Sequence, residues 1–164
     1  MTARERELST MWRSLLPANP ERPHNSVSPA ENEHAGNAAV RVLIVEDEFF
    51  VAMDVETILS DAGCEVVGIA TSADEAVAKA RHSLPDLILM DIRLQGDRDG
   101  IDAASEITRD HKIPIVFVTA NPDAVTDARA QHARPIATVS KPFTRESLLV
   151  ALAIYRDLPQ EPHC

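Results

Sequence analysis

From residue 40 onward, short apolar runs alternate with segments whose apolar residues recur at helical spacing. Continuous apolar runs are typical of strands that are buried on both faces, and such strands separated by helices form parallel sheets. The pattern predicts strands at residues 42–45, 65–70, 87–90, 114–118 and 136–140. It predicts helices at residues 49–62, 72–81, 101–109, 122–133 and 144–155.

Strands that alternate with helices in this way predict the α/β class, with helices on both faces of one sheet. We expect a flavodoxin-like (βα)5 fold, a doubly wound parallel sheet with strand order 2-1-3-4-5. Ligand sites in such sheets form outside the carboxyl ends of the strands, where the strand order reverses. In this order the first and third strands are neighbours, so the residues that follow them should meet.

Acidic residues directly follow both of these neighbouring strands. Glu46, Asp47 and Glu48 follow the first strand, and Asp91 follows the third. Carboxylates gathered at the edge of a buried sheet are unfavourable unless a positive charge lies among them. A hard divalent cation that prefers oxygen ligands, such as Mg²⁺, meets this need.

Two further polar residues end strands on the same rim, Thr119 after the fourth strand and Lys141 after the fifth. A metal site, a hydroxyl and a lysine around a carboxylate suit phosphoryl transfer. The carboxylate can attack phosphorus and become an acyl phosphate. The lysine and the metal would offset charge on the phosphoryl oxygens, and the hydroxyl would donate a hydrogen bond.

The strand ends resemble, in sequence and in order, the receiver domain of two-component response regulators. Four segments carry the likeness together, each at a strand end and in the order of the family, and they cover about three quarters of the chain. The Phe-Val-Thr-Ala and Gly-x-x-Asp-Gly motifs are similar to the alphaproteobacterial single-domain subgroup. The matching segments are VLIVEDE at 42–48, LILMDIRL at 87–94, IVFVTA at 115–120 and SKPF at 140–143.

The resemblance implies a role for each residue on the rim. Asp91 would be the phosphoacceptor and would also face the metal. Asp47 would bind Mg²⁺ directly, Glu46 through a water molecule, and Arg93 through its backbone carbonyl. Thr119 and Lys141 would act with Asp91 in catalysis by contacting the phosphoryl group. The family also implies a cis peptide bond between Lys141 and Pro142.

Three positions depart from the family pattern. Glu46 stands where Asp is usual, and its longer side chain still reaches a water-mediated position. Gln95 replaces a customary proline in the loop after Asp91. Thr138 stands where an aromatic residue is common, so we expect the usual coupling of Thr119 to that aromatic residue to be absent or rebuilt.

The resemblance implies a single-domain response regulator that accepts a phosphoryl group from a sensor histidine kinase or a phosphotransfer protein. It would not be a conventional turnover enzyme. A receiver-like docking module that is never phosphorylated is the alternative. A dehalogenase-type hydrolase is disfavoured because it needs a second Asp where Arg93 stands. A nucleotide or flavin binder is disfavoured because Glu46, Asp47 and Glu48 would repel phosphate.

Composition excludes several other classes of function. The net charge of −10 argues against nucleic-acid and membrane-surface partners. No apolar run approaches the ~20 residues needed to span a bilayer. The two cysteines, Cys64 and Cys164, are read as reduced thiols, which indicates a cytoplasmic protein.

The termini are predicted to lie outside the folded domain at residues 40–156. Residues 1–39 form a flexible extension whose proline-rich part, 17–38, follows a short amphipathic helix at 3–16 that contains Trp12. Such a helix is marginal alone, so we expect it to dock on its own domain or on a partner. Residues 157–164 form a C-terminal tail. With no output domain expected, a homodimer or a downstream protein would receive the signal.

Overall fold

The computed structural model describes residues 39–120 and 128–159. Its centre is a parallel sheet in the order β2-β1-β3-β4-β5, which confirms the predicted flavodoxin-like topology. The strands are β1 Arg41–Val45, β2 Glu65–Ala70, β3 Leu87–Asp91, β4 Ile115–Thr119 and β5 Ala137–Ser140. The helices are α1 Phe49–Asp61, α2 Ala73–Ser83, α3 Gly100–His111, α4 Ala128–His132 and α5 Arg145–Arg156.

Side chains that alternate along the strands supply two separate cores, one on each face of the sheet. On one face, Leu43 and Val45 of β1 pack with residues of α2, α3 and α4. On the other face, Val42 and Ile44 pack with residues of α1 and α5. Because the four residues 42–45 are all buried, the strand has no polar face. This explains why the sequence reads as a continuous apolar run.

The element boundaries differ from the predicted ones by one or two residues at most ends, within the usual uncertainty of helix and strand termini. Two of these shifts matter for the site. Asp91 is the last residue of β3 and Thr119 is the last residue of β4, so both belong to the hydrogen-bonded sheet. Of the predicted fourth helix, only Ala128–His132 is described as helix, and residues 121–127 lie outside the described residues.

Helix α1 buries aliphatic residues and exposes two of its largest apolar ones. Its buried positions are Ala52, Val55 and Leu59, whereas Phe50 is 81% and Met53 41% exposed. The spacing of Phe50 and Met53 was compatible with an apolar face, but that face looks away from the sheet. Gly63 follows the helix with a φ of +77°, a conformation that favours glycine and ends the helix.

Ser72 and Glu75 at the start of α2 have the spacing of a capping box, and this capping box forms only in part. The Ser72 hydroxyl accepts a hydrogen bond from the Glu75 amide, as expected for an N-cap residue. The Glu75 carboxylate, however, accepts from the amide and hydroxyl of Thr71 rather than from the Ser72 amide. A complete capping box occurs instead at the start of α5, between Thr144 and Ser147.

Three other expectations concern the ends and the cysteines. The amphipathic helix at 3–16 and the linker at 17–38 lie outside the described residues. Cys64 is a buried free thiol. Within residues 39–120 and 128–159, none of the helices has the length and apolar character that a bilayer crossing requires.

Replacing Phe117 with Ala should lower the free energy of unfolding by about 3–5 kcal/mol, because Phe117 is fully buried in the central part of the sheet. Phe50→Ala is the matched control. It removes the same atoms from an exposed site, and should change stability by no more than about 0.5 kcal/mol. Urea unfolding followed by circular dichroism measures both. Equal effects would contradict the assignment of the core.

Candidate functional site

The register of the sheet brings the acidic ends of β1 and β3 together. Val45 pairs with Met90, so the next residues, Glu46 and Asp91, leave the two strands at the same level. The Glu46 amide also bonds to the carbonyl of Ala70 at the end of β2, at 2.9 Å. Both carboxylates are buried, with Glu46 3% and Asp91 5% exposed. The topology therefore places two buried acids side by side.

Lys141 lies between these two acids. Its Nζ is 2.7 Å from Glu46 Oε2 and 2.6 Å from Asp91 Oδ2. The Lys141 amide donates to the carbonyl of Thr119, at 2.8 Å, which ties the end of β5 to that of β4. The peptide bond between Lys141 and Pro142 is cis, as predicted. One ammonium group thus serves two carboxylates from different strands.

Burial and the three charges shift the pKa values of this group. Burial raises the pKa of the Glu46 carboxyl; the hydrogen bond from Lys141 offsets part of that rise, and the charge of Asp91 adds to it. Burial alone would lower the pKa of Lys141, but its bonds to Asp91 and Glu46 hold that pKa above its ordinary value. Lys141 therefore stays charged and compensates the acids.

The other oxygen of Asp91 is held by the chain that follows it. The Arg93 amide donates to Asp91 Oδ1 at 2.9 Å, so each carboxylate oxygen has one donor. The side chain of Arg93 is exposed. Thr119, the last residue of β4, is fully buried and pairs in register with Ser140. Thr119 and Lys141 therefore lie at the ends of neighbouring strands, as the sequence predicts.

Glu46, Asp47 and Asp91 form a group that could hold a cation. One carboxylate oxygen from each lies within 4.8 Å of the others, and Asp47 is the most exposed of the three. Oxygen ligands about 2.1 Å from one Mg²⁺ ion can be about 4 Å apart, so this spacing requires little movement. The donors are all hard oxygen atoms. The residues present thus fit Mg²⁺ better than a softer metal.

Gly100 is a residue of this site that the sequence reasoning placed only at the end of a loop. Its amide donates to the Ile92 carbonyl at 2.9 Å. A Cβ atom on Gly100 would lie 1.9 Å from the carbonyl oxygen of Asp91, which is an overlap. The first turn of α3 therefore packs directly on the backbone of Asp91. The signal in the sequence was a glycine directly after Asp99, a residue type that is common at N-cap positions.

A family model described as the response regulator receiver domain matches residues 42–153. The chain belongs to the response regulator receiver family. Receiver domains are generally regulatory modules rather than conventional enzymes, and they bind Mg²⁺ in an acidic pocket. In this chain Glu46, Asp47 and Asp91 form an acidic cluster at the carboxyl ends of β1 and β3.

The receiver is similar to proteins with different regulatory roles. It is 42% identical to the transcriptional regulatory protein PdtaR of Mycobacterium tuberculosis over 114 residues, which cover 70% of this chain and 55% of PdtaR. It is 36% identical to the chemotaxis protein CheY of Thermotoga maritima over 113 residues, which cover 68% of this chain and 93% of CheY. The receiver thus spans about half the length of PdtaR.

A solved structure agrees with the same fold. The solution structure of the receiver domain of the response regulator PhyR from Erythrobacter litoralis superposes with a TM-score of 0.69 at 27% identity. The match covers 77% of this chain and 97% of that domain. The likeness extends over nearly the whole of the PhyR receiver, so the fold assignment does not depend on a local motif.

Lys141→Met should destabilise the metal-free receiver by about 3 kcal/mol at pH 7, because it leaves two buried carboxylates without a counter-charge. The Glu46 carboxyl would lose the hydrogen bond and the charge that offset the rise of its pKa by burial, so that pKa should rise further above the unfolded value. The loss therefore grows as pH rises and shrinks toward pH ~4. Lys112→Met is the control, since Lys112 is an exposed residue at the end of α3 and its replacement should change stability by no more than about 0.5 kcal/mol.

Urea unfolding of both variants in EDTA at several pH values measures the effect. A loss for Lys141→Met that matches the control, or that does not depend on pH, would show that Lys141 does not compensate Glu46 and Asp91.

Proposed function

We propose that this receiver accepts a phosphoryl group on Asp91 from a phosphohistidine of a sensor kinase or a phosphotransfer protein. The observation that carries this proposal is the position of Asp91. Its carboxylate is buried at the carboxyl end of the central strand, bonded to Lys141, and within reach of two further carboxylates. A carboxylate in a site that can balance extra negative charge is suited to attack phosphorus.

In the proposed reaction an oxygen of Asp91 forms a bond to phosphorus as the bond from phosphorus to the histidine nitrogen breaks. The electron pair of that bond returns to the imidazole, and Asp91 becomes an acyl phosphate. The Arg93 amide fixes one carboxylate oxygen, which orients the other for attack. Lys141, already 2.6 Å from Asp91 Oδ2, is close enough to neutralise charge on the phosphoryl oxygens.

Glu46, Asp47, Asp91 and the Arg93 carbonyl are the groups proposed to hold Mg²⁺. A bound Mg²⁺ ion would supply positive charge that lessens repulsion between the acids and the incoming phosphoryl group. Glu46 contacts Lys141, so the pair could separate when Lys141 turns to the phosphoryl group. The hydroxyl of Thr119 is proposed to donate to a phosphoryl oxygen, since Thr119 ends the strand between those of Asp91 and Lys141.

The same proposal implies a signalling role, a set of partners and a cellular location for the protein. Each chain would take one phosphoryl group and pass on a signal, rather than turn over substrate. Its partners would be a kinase or phosphotransfer protein and, after phosphorylation, a downstream protein or a second copy of the chain. ATP-dependent histidine kinases work in the cytoplasm, which is the location we propose for this receiver.

Incubation with acetyl phosphate and Mg²⁺ should produce a base-labile label on the wild-type protein, and Asp91→Asn should abolish it because an amide cannot form the acyl phosphate. Asp97→Asn is the control, since it removes the same charge from an exposed loop position. Mass spectrometry of the intact protein measures the added phosphate. Labelling of the Asp91→Asn variant would contradict the assignment of Asp91 as the phosphoacceptor. An unlabelled wild-type protein would favour the docking-module alternative.

Asp47→Asn should weaken Mg²⁺ binding roughly tenfold or more, because it removes a charged oxygen ligand and leaves the rest of the pocket in place. Asp54→Asn, an exposed position on α1, is the control with the same change in net charge. Titration of Mg²⁺ followed by NMR amide shifts measures binding without any phosphorylation. Similar affinities for the two variants would contradict the proposed ligand set.

A further inference from the structure

Arg129 of α4 contacts the first turn of α3 and the residue before it with its side chain. Arg129 Nη2 lies 3.0 Å from Asp99 Oδ1, 3.1 Å from Asp99 Oδ2 and 2.7 Å from Asp102 Oδ1. These contacts lower the pKa of Asp102 and raise that of Arg129. A guanidinium group is always charged and has several donors, so it can serve two carboxylates at once.

Asp99 is the residue that fixes where α3 begins. Its side chain accepts a hydrogen bond from the Asp102 amide at 3.0 Å, which makes Asp99 the N-cap of the helix. The next residue, Gly100, is the one whose backbone packs on the carbonyl of Asp91. Contacts therefore run without a gap from Arg129 through Asp99 and Gly100 to the backbone of Asp91.

Arg98 ties the segment between Asp91 and α3 to α2 and to the middle of α3. It does so through Asp74 and Glu106, each at 2.6 Å. The contacts of Arg129 link the end of the same segment to α4.

Gln95 stands where a proline would fix the backbone. On β5, Thr138 is exposed and cannot act as the aromatic residue that usually couples the site to the α4 side of the domain. Contacts such as those of Arg129 are therefore well placed to hold this segment and to connect it with α4.

We propose that Arg129 is a positioning residue for Asp91, and that it couples α4 to the state of the phosphorylation site. This inference rests on the proposed function and deepens it. Arg129 acts through Asp99 and Gly100 and does not touch the phosphodonor. Coupling between two sites is reciprocal in equilibrium free energy. If the Arg129 contacts favour the phosphorylated state of Asp91, phosphorylation strengthens those contacts by the same free energy.

The test compares Arg129→Gln with Arg81→Gln in the full-length chain. Arg81 is the matched control, because it also pairs with two carboxylates of α3, Glu106 and Asp110, but at positions further along the helix. With acetyl phosphate and Mg²⁺, the maximal labelling rate of Arg129→Gln should fall about two- to fivefold, the range that exposed ion pairs support. The half-saturating acetyl phosphate concentration should not change, and Arg81→Gln should behave as wild type.

A double-mutant cycle then isolates the contact itself. The background variant carries Asp99→Asn and Asp102→Asn, which removes both charges; asparagine keeps the capping ability at residue 99. In that background Arg129→Gln should cause no further loss of rate. The amide shift of Gly100 should move on Arg129→Gln in the wild-type background only.

The possible results separate the two proposals. If the wild type takes no label, the proposed function fails and this inference fails with it. If the wild type is labelled but Arg129→Gln equals Arg81→Gln, the positioning role is overturned while the function stands. An Arg129→Gln effect that persists in the Asn background would also overturn it, because the effect would not pass through Asp99 and Asp102.

Discussion

The site depends on one ammonium group shared by two buried carboxylates. Glu46 and Asp91 come from neighbouring strands, and without Lys141 between them their burial would be strongly unfavourable. The sheet order makes this meeting unavoidable, because β1 and β3 are adjacent and end at the same level. The fold thus concentrates negative charge at one point. The positive charge that balances it, on Lys141, comes from the end of β5, two strands away from β3.

The parts of this arrangement that follow from chain topology could be predicted from sequence. Apolar runs predicted the strands, and their alternation with helices predicted a parallel sheet. The polar residues that follow the strands were therefore expected at one rim of that sheet. Asp91, Thr119 and Lys141 follow as neighbours because each ends a strand. The side-chain period of two along a strand also accounts for the two cores, since adjacent residues of one run face opposite sides.

Other features depend on distances that no local pattern encodes. The contact of Lys141 with Glu46 as well as Asp91 depends on side-chain reach across the sheet. The need for glycine at position 100 depends on how closely α3 approaches β3. Phe50 and Met53 face outward because the other face of α1, with Ala52, Val55 and Leu59, packs on the sheet. Spacing alone does not distinguish these two faces of α1.

The position of each strand within the sheet has a kinetic consequence for the site. The central strand β3 has a neighbour on either side and a core on each face, whereas β5 is a short edge strand with one neighbour. Local opening of a protein begins at its less protected edges. Asp91 therefore belongs to the part of the sheet that opens last, and Lys141 follows a strand that can loosen on its own. Local stability therefore differs across the site. Asp91, which is proposed to react, lies in its most stable part, and Lys141, which is proposed to contact the phosphoryl group, lies in its least stable part.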